Sequence, residues 1–416
     1  MVVKSKSKKT TGSVAELFAG VGGFRLGLEA AGLKIVYSNQ YEPSTKKQYA
    51  SDVYVKNFGS DGHENLDIAK VDKVDSKFDV LVGGFPCQDY SVAKSKNSSH
   101  GIKGKKGVLW WEILRIAEKH KPKFIFLENV DRLLKSPSNQ KGRDFAVMLK
   151  TLSDAGYTAE WRVINSADYG FPQRRLRTYI VARRDGKYRG KSHLDIVVKA
   201  GVLAKSFPHT IDKSTISEFP LSDSAEKLSK KFGLNNKKSS FLNCGYFDGK
   251  TVFTVKTKAK YSGIHQSLGD IILPDSAIPS EFWISNKDLK AWKDLKGAKK
   301  ILRKHKTTGF EYFYSEGSMS FPDSLKNPSR TILTGEGGTS PSRFKHVIKT
   351  KKGFRRLTPL ELERLNGFPD DWTKFGQENQ IVSDTTRAFL MGNALVIGLI
   401  ERVGSVLAKE LRQSKK

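Results

Sequence analysis

The chain has two cysteines. One of them, Cys87, stands in Gly83-Gly84-Phe85-Pro86-Cys87-Gln88, directly after the apolar run Phe78-Asp79-Val80-Leu81-Val82. That run reads as a buried strand of a parallel sheet. The thiol is therefore delivered just past a strand's C-terminal end, where open α/β sheets hold their ligands. Two glycines permit a sharp turn, and Pro86 fixes φ beside the sulfur and removes a backbone donor. A sulfur held in this way suits nucleophilic attack as a thiolate. A cysteine that only fills core volume needs none of these neighbours.

Three other groups of residues could share that chemistry. A short apolar strand at 124–127 delivers Glu128-Asn129-Val130 to the same sheet edge, where a carboxylate can act as general acid or hydrogen-bond partner. In Gln173-Arg174-Arg175-Leu176-Arg177 the alternation puts Arg175 and Arg177 on one face of the following strand. Two guanidiniums there can hold a phosphate and a base carbonyl. The turn Phe18-Ala19-Gly20-Val21-Gly22-Gly23-Phe24 follows a first strand, and its glycines let a cofactor approach the backbone. Its spacing is not that of a dinucleotide fingerprint. Glu42 lies where a ribose-binding acid is expected, and Tyr41 beside it can pack on an adenine ring.

The elements that position these residues alternate. Strands are expected at 13–18, 34–38, 78–82, 124–127, 161–164 and 178–182. Helices are expected at 24–31, 45–57 with Ser44 as N-cap, 108–119 and 143–155 with Gly156 at the C-terminal cap. This order predicts a doubly wound, mostly parallel sheet. From 184 to about 326 the chain turns polar, rich in Lys, Ser and Gly, without a sustained period. Regular structure returns with a Thr-Pro helix start at 358 and a last helix over 393–411.

Composition narrows the partners. The 416 residues carry 73 Lys and Arg against 43 acids, a net charge of +30. Such a field draws polyanions, nucleic acid first among them. No stretch reads as a membrane span or a signal peptide. The basic segments at 227–240 and 296–306 read singly as solvated faces. Two cysteines make no disulfide scaffold, which points to a reducing cytoplasm.

Taken in order, these motifs resemble the DNA cytosine-5 methyltransferase family. The resemblance runs over nearly the whole chain. It includes the turn from Phe18 to Gly23, Pro86-Cys87-Gln88, Glu128-Asn129-Val130 and Gln173-Arg174-Arg175-Leu176-Arg177. It continues through Arg330-Thr331-Ile332-Leu333-Thr334 and ends in Gly392-Asn393-Ala394-Leu395-Val396. It implies a Rossmann-like, S-adenosylmethionine-dependent catalytic domain at 12–183 after a basic tail at 1–11. A smaller, loop-rich target-recognition domain at 184–328 follows, and a return segment at 329–416 completes the catalytic domain.

The resemblance also implies roles. Cys87 adds to carbon 6 of cytosine, Glu128 serves ring nitrogen 3, Arg177 holds O2, Arg175 steadies the loop and phosphate region, and Asn129 orients the base and the surroundings of Pro86. The base must leave the helix to reach them, with 91–107 as a closing loop. For the cofactor it implies Phe18, Gly20, Gly23, Gln40, Tyr41, Asp67, Ile68, Pro86, Leu109, Asn393 and Ala394, and no metal. Gln40 departs from the pattern, which has an acid there to bind the ribose. Double-stranded DNA is the implied substrate, and a monomer working in the bacterial cytoplasm, alongside an independent restriction endonuclease, is the implied setting. A same-fold enzyme acting on transfer RNA is the rival, but it would carry a shorter recognition segment. A DNA-binding protein with a dead site would not need Cys87, Glu128, Arg175 and Arg177 together.

Overall fold

A computed structural model of the protein describes residues 10–85, 109–184, 188, 190–304 and 309–414. Pro86, Cys87 and the expected closing loop at 91–107 lie outside the described residues, as does the tail at 1–9.

Among the described residues, ten strands form one sheet. In chain order they are β1 (Ser13–Leu17), β2 (Lys34–Asn39), β3 (His63–Glu64), β4 (Val80–Gly84), β5 (Phe124–Val130), β6 (Tyr157–Asn165), β7 (Leu176–Arg184), β8 (His209–Pro220), β9 (Cys244–Phe247) and β10 (Thr251–Ala259). They lie side by side as β3-β2-β1-β4-β5-β7-β6-β9-β10-β8. The first five in that order are parallel. β7 is antiparallel to both β5 and β6, so its N-terminal end returns to the edge where β4 and β5 finish.

Helices cover both faces, and the strand sequences show why. In β4 and β5 successive apolar residues alternate sides. Leu81, Ile125 and Leu127 join one core with Trp110, Ile113 and Ile116 of α3 (Leu109–His120) and Phe145, Met148 and Leu152 of α4 (Arg143–Asp154). Val80, Val82, Phe124 and Phe126 join a second core with Phe24 and Leu28 of α1 (Gly23–Ala30) and Leu399, Ile400, Val403 and Leu407 of the C-terminal helix Ile397–Gln413. Each of these large buried side chains contributes about 1.5–3 kcal/mol.

Three expectations need correction. The helix placed at 45–57 begins only at Tyr49 and runs to Phe58 (α2). Ser44 is no cap, because its hydroxyl donates to Glu42 Oε1 at 2.6 Å and Thr45 Oγ1 accepts from the Lys47 amide at 3.1 Å. The last helix, placed at 393–411, begins only at Ile397 and runs to Gln413; Asn393 instead ends a separate helix, Asp384–Asn393, and Ala394 and Val396 between the two are extended. The polar stretch after Arg184 also holds more structure than its lack of period implies, since β8, β9 and β10 continue the sheet beyond β6.

Within Asp384–Gln413 an 18-residue stretch is apolar enough by composition alone to pass for a membrane span. Its apolar face is instead packed inside the protein. Leu399, Ile400, Val403, Leu407 and Leu411 are buried, and Gly27 of α1 lies so close to Ile400 that an added methyl would come within 2.7 Å of its Cβ.

Candidate active site

The C-terminal edges of β1, β4 and β5 and the start of β7 meet around a cavity of about 450 Å³. Its lining includes Phe18, Gly20, Gly23, Gln40, Tyr41, Leu109, Glu128, Asn129, Arg175, Arg177, Asn393 and Ala394. Residues far apart in sequence, expected at one site, thus share one wall. Asp67 and Ile68 stand outside that lining. The Asp67 carboxylate accepts from the Ala69 amide at 3.1 Å, and Ile68 is buried in the core against α3.

Glu128 lies within β5 rather than just past it, and β7 explains its setting. The antiparallel register pairs Val130 with Arg177 and Glu128 with Tyr179. Glu128 and Arg177 are therefore diagonal neighbours on one face, within reach of long side chains. Arg177 Nε donates to Glu128 Oε1 at 2.8 Å. Both side chains remain partly open, at 16 and 12% exposure, so each can present a polar atom to the cavity. Gly84 pairs with Glu128 across β4 and leaves the space beside Glu128 Oε2 free of a side chain.

Asn129 points the other way. Its Nδ2 donates to the Phe85 carbonyl at 2.8 Å, and its Oδ1 accepts from the Val130 amide at 2.8 Å. Buried and doubly tied, it fixes the backbone two residues before Cys87.

Arg175 precedes β7 and is 3% exposed. Its guanidinium reaches the carbonyls of Ile332 at 3.4 Å and Gly392 at 3.1 Å, while Nε has no partner among the described residues. Burial, with repulsion from Arg177, pushes its pKa below the ordinary arginine value. Gln173 performs a similar tie. Its Oε1 accepts from the Ile332 amide at 3.1 Å, and its Nε2 donates to Asn366 Oδ1 at 2.8 Å. Asn366 closes α6 (Pro359–Asn366) and donates to the Met391 carbonyl at 3.0 Å. The chain's last third is thereby stitched to the catalytic edge.

Gly392 makes that stitching close. A Cβ there would sit 2.5 Å from the Thr334 amide nitrogen and 2.6 Å from the Leu333 carbonyl carbon. Both are backbone atoms and cannot rotate away. Gly392→Ala should cost about 1–3 kcal/mol of stability. A urea midpoint equal to wild type would show that the two segments separate easily.

The turn after β1 is built for a small ligand. Gly20 and Gly22 take φ of 55 and 88°, and Phe18 holds φ 56°, a strained value for a residue with a side chain. No atom lies within 4 Å of where a Gly20 Cβ would be, so the bare backbone faces open space. Gln40 Oε1 accepts the Gly20 amide at 2.7 Å, a task any side-chain oxygen at this position could do. Glu42 also lines the cavity, with Oε1 engaged by Ser44. The volume, the glycine turn and the polar groups at 40–42 fit a nucleoside-bearing cofactor such as S-adenosylmethionine.

Two contributions escaped the sequence reading. Thr386, Phe389 and Leu390 of the helix Asp384–Asn393 complete the cavity wall. Ser383, whose hydroxyl accepts from the Thr386 amide, was the cap signal that could have located that helix.

Glu16, in β1 just before the turn, is the second. It is fully buried, with Tyr54 Oη donating to Oε2 at 3.1 Å and Oε1 unpartnered among the described residues. Burial pushes its carboxyl up from 4.5 to about 8, against the pull of Tyr54 and Arg25. The folded state then holds a proton that the unfolded state has lost, so stability falls as pH rises between those values, by up to about 1.4 kcal/mol per pH unit. Glu16→Gln abolishes this loss. Its stability advantage over wild type should grow from pH 4.5 to 8 and then level off. An advantage that stays constant across that range would contradict a protonated Glu16.

A family model described as C-5 cytosine-specific DNA methylase matches residues 12–409. The type II methyltransferase M.Sau3AI of Staphylococcus aureus is 45% identical over 409 residues, covering 95% of each chain. The type II methyltransferase M.HhaI of Haemophilus parahaemolyticus is 37% identical over 186 residues, 44% of this chain and 53% of that protein. Among solved structures, the S. pombe Dnmt2 methyltransferase superposes with a TM-score of 0.58 at 16% identity over 97% of this chain and 99% of that one. That likeness speaks for the fold alone.

Proposed function

The chain belongs to the C-5 cytosine-specific DNA methylases and is a DNA cytosine-5 methyltransferase, and from this premise we propose how its residues carry the reaction. The substrate is a cytosine turned out of double-stranded DNA into the cavity beside Glu128 and Arg177. The Cys87 thiolate adds to carbon 6, which makes carbon 5 an enamine-like nucleophile. Glu128 stabilises the charge that develops at nitrogen 3, and Arg177 holds O2. The turn from Phe18 to Gly23, Gln40, Tyr41, Asn393 and Ala394 would hold S-adenosylmethionine, which would supply the methyl group to carbon 5, with S-adenosylhomocysteine as the other product. Loss of the carbon 5 proton then breaks the sulfur–carbon bond, freeing Cys87 and 5-methylcytosine.

Arg175 and Asn129 are positioning residues in this scheme. Asn129 fixes the Phe85 carbonyl, and with it the strand end that carries Cys87. Arg175 ties the return segment to the same edge, and its positive charge would favour the ionised form of the Cys87 thiol. The single observation that carries the reading is the Glu128–Arg177 pair on the wall of a cavity shared with the glycine turn.

The region 12–183, completed by 329–416, would be catalytic, and 184–328 would choose the sequence. The relatives' names as type II methyltransferases support a role in a restriction–modification system; protection of host DNA in a bacterial cytoplasm, by a monomer beside a separate endonuclease, belongs to the same proposal. Bisulfite sequencing of DNA from cells expressing the chain tests the reading. Protected cytosines in one recurring context are expected, and unmarked DNA with folded protein present would overturn it.

A further inference from the structure

The segment after α5 (Asn286–Lys296) forms a two-stranded ribbon, β11 (Lys299–Lys304) and β12 (Glu311–Glu316), paired only with itself among the described residues. An isolated hairpin is marginal in water, so its base must be held. Arg343 does this. Its guanidinium pairs with Glu316 at 3.2 Å and donates to the carbonyls of Leu295 at 3.1 Å, Gly297 at 2.9 Å and Gly317, so it grips both feet of the ribbon. Buried Lys296 adds a second tie, donating to the carbonyls of Lys345 at 2.6 Å and Arg343 at 3.2 Å.

Above that base the ribbon is bare. The register opposes Leu302 to Phe313, Lys300 to Ser315 and Lys304 to Glu311, so these residues share one face. Leu302 is 54% and Phe313 62% exposed. The Lys300 ammonium lies 4.7 Å from the Phe313 ring. β11 carries four cations, whereas β12 carries two acids, of which Glu316 is already paired with Arg343. Lysines on an edge strand alone would serve to block stray strand pairing. They do not account for an apolar pair held outward between them.

We propose that this face, Lys300, Leu302, Lys304 and Phe313, docks in the major groove of the DNA substrate and helps to choose the sequence methylated. The proposal rests on the reading of double-stranded DNA as substrate. The major groove admits a two-stranded ribbon, the excess of cations matches its phosphates, and apolar side chains can meet thymine methyl groups there. A second copy of the chain is the rival occupant, but two such faces would bring like charges together.

Two double variants test it, on duplexes carrying the site that wild type methylates. Lys300→Gln with Lys304→Gln should weaken binding to any duplex and lower the slope of log affinity against log salt by about two. Leu302→Ser with Phe313→Ser should lower methylation at the target site about ten- to a hundredfold with little change in that slope. Both variants should keep the wild-type melting temperature and S-adenosylmethionine binding, since all four side chains are exposed. Wild-type rate and slope in both would overturn the proposal while leaving the substrate reading intact. So would a sedimenting dimer that only the Leu302/Phe313 variant loses, with methylation untouched. If wild type itself leaves DNA unmarked, the substrate reading fails first and takes the ribbon with it.

Discussion

Cys87→Ala should abolish methyl transfer, by on the order of 10⁴-fold or more, while duplex and S-adenosylmethionine affinity stay near wild type. The size of the effect follows from the chemistry of the ring. Carbon 5 of cytosine is a poor nucleophile until a group adds at carbon 6, and no neighbour described here replaces a thiolate in that addition. The described strand end supports the assignment. Asn129 pins the Phe85 carbonyl, and Gly84 leaves room beside Glu128. A duplex bearing 5-fluorocytosine gives a second readout. Fluorine cannot depart as the carbon 5 proton does, so wild type should remain covalently attached and migrate as a protein–DNA adduct. The alanine variant should form none. Methylation by Cys87→Ala, or an adduct in its absence, would remove the nucleophile assignment. Intact binding by an otherwise inactive wild type would instead favour a DNA-binding protein with a dead site.

What could be read without coordinates divides along a physical line. Chemistry carried by one local stretch was legible, as with the apolar run before Cys87, the glycine turn after β1 and the Thr-Pro helix start at 358, where the structure adds a capping box through Glu361. Alternation along the first 180 residues gave the parallel half of the sheet. Relations set by pairing were not legible. That Glu128 meets Arg177 depends on β7 entering antiparallel between β5 and β6, which no single segment encodes. That Arg175 ends on the carbonyls of Ile332 and Gly392 depends on a return from more than 150 residues away. Ser44 shows the reverse failure, since a residue type that favours caps was drawn instead to the nearby Glu42 carboxylate. β8 is mostly exposed and mixed in polarity, so its 12 residues give no clean alternation. Its strand identity comes from pairing with β10.

Glu128 and Arg177 should behave as one unit, and a double-mutant cycle can show it. Glu128→Gln keeps a hydrogen-bonding group of the same size but removes the carboxyl that can pass a proton to nitrogen 3. It should lower turnover by about 10²–10⁴-fold. Arg177→Ala frees the Glu128 carboxylate from its 2.8 Å partner and removes the donor proposed for O2, so turnover should fall by a similar factor with DNA affinity changed far less. Each residue orients the other across the β5–β7 pair, and removing either one spoils the setting of its partner. The double variant should therefore be little worse than the worse single variant, as expected where residues act together and effects do not add. A double variant slower by the product of the two single losses would mean the groups act independently. A loss confined to DNA affinity in Arg177→Ala would place that guanidinium on the phosphate backbone rather than on the ring, and the pair would then be a strut of the sheet edge.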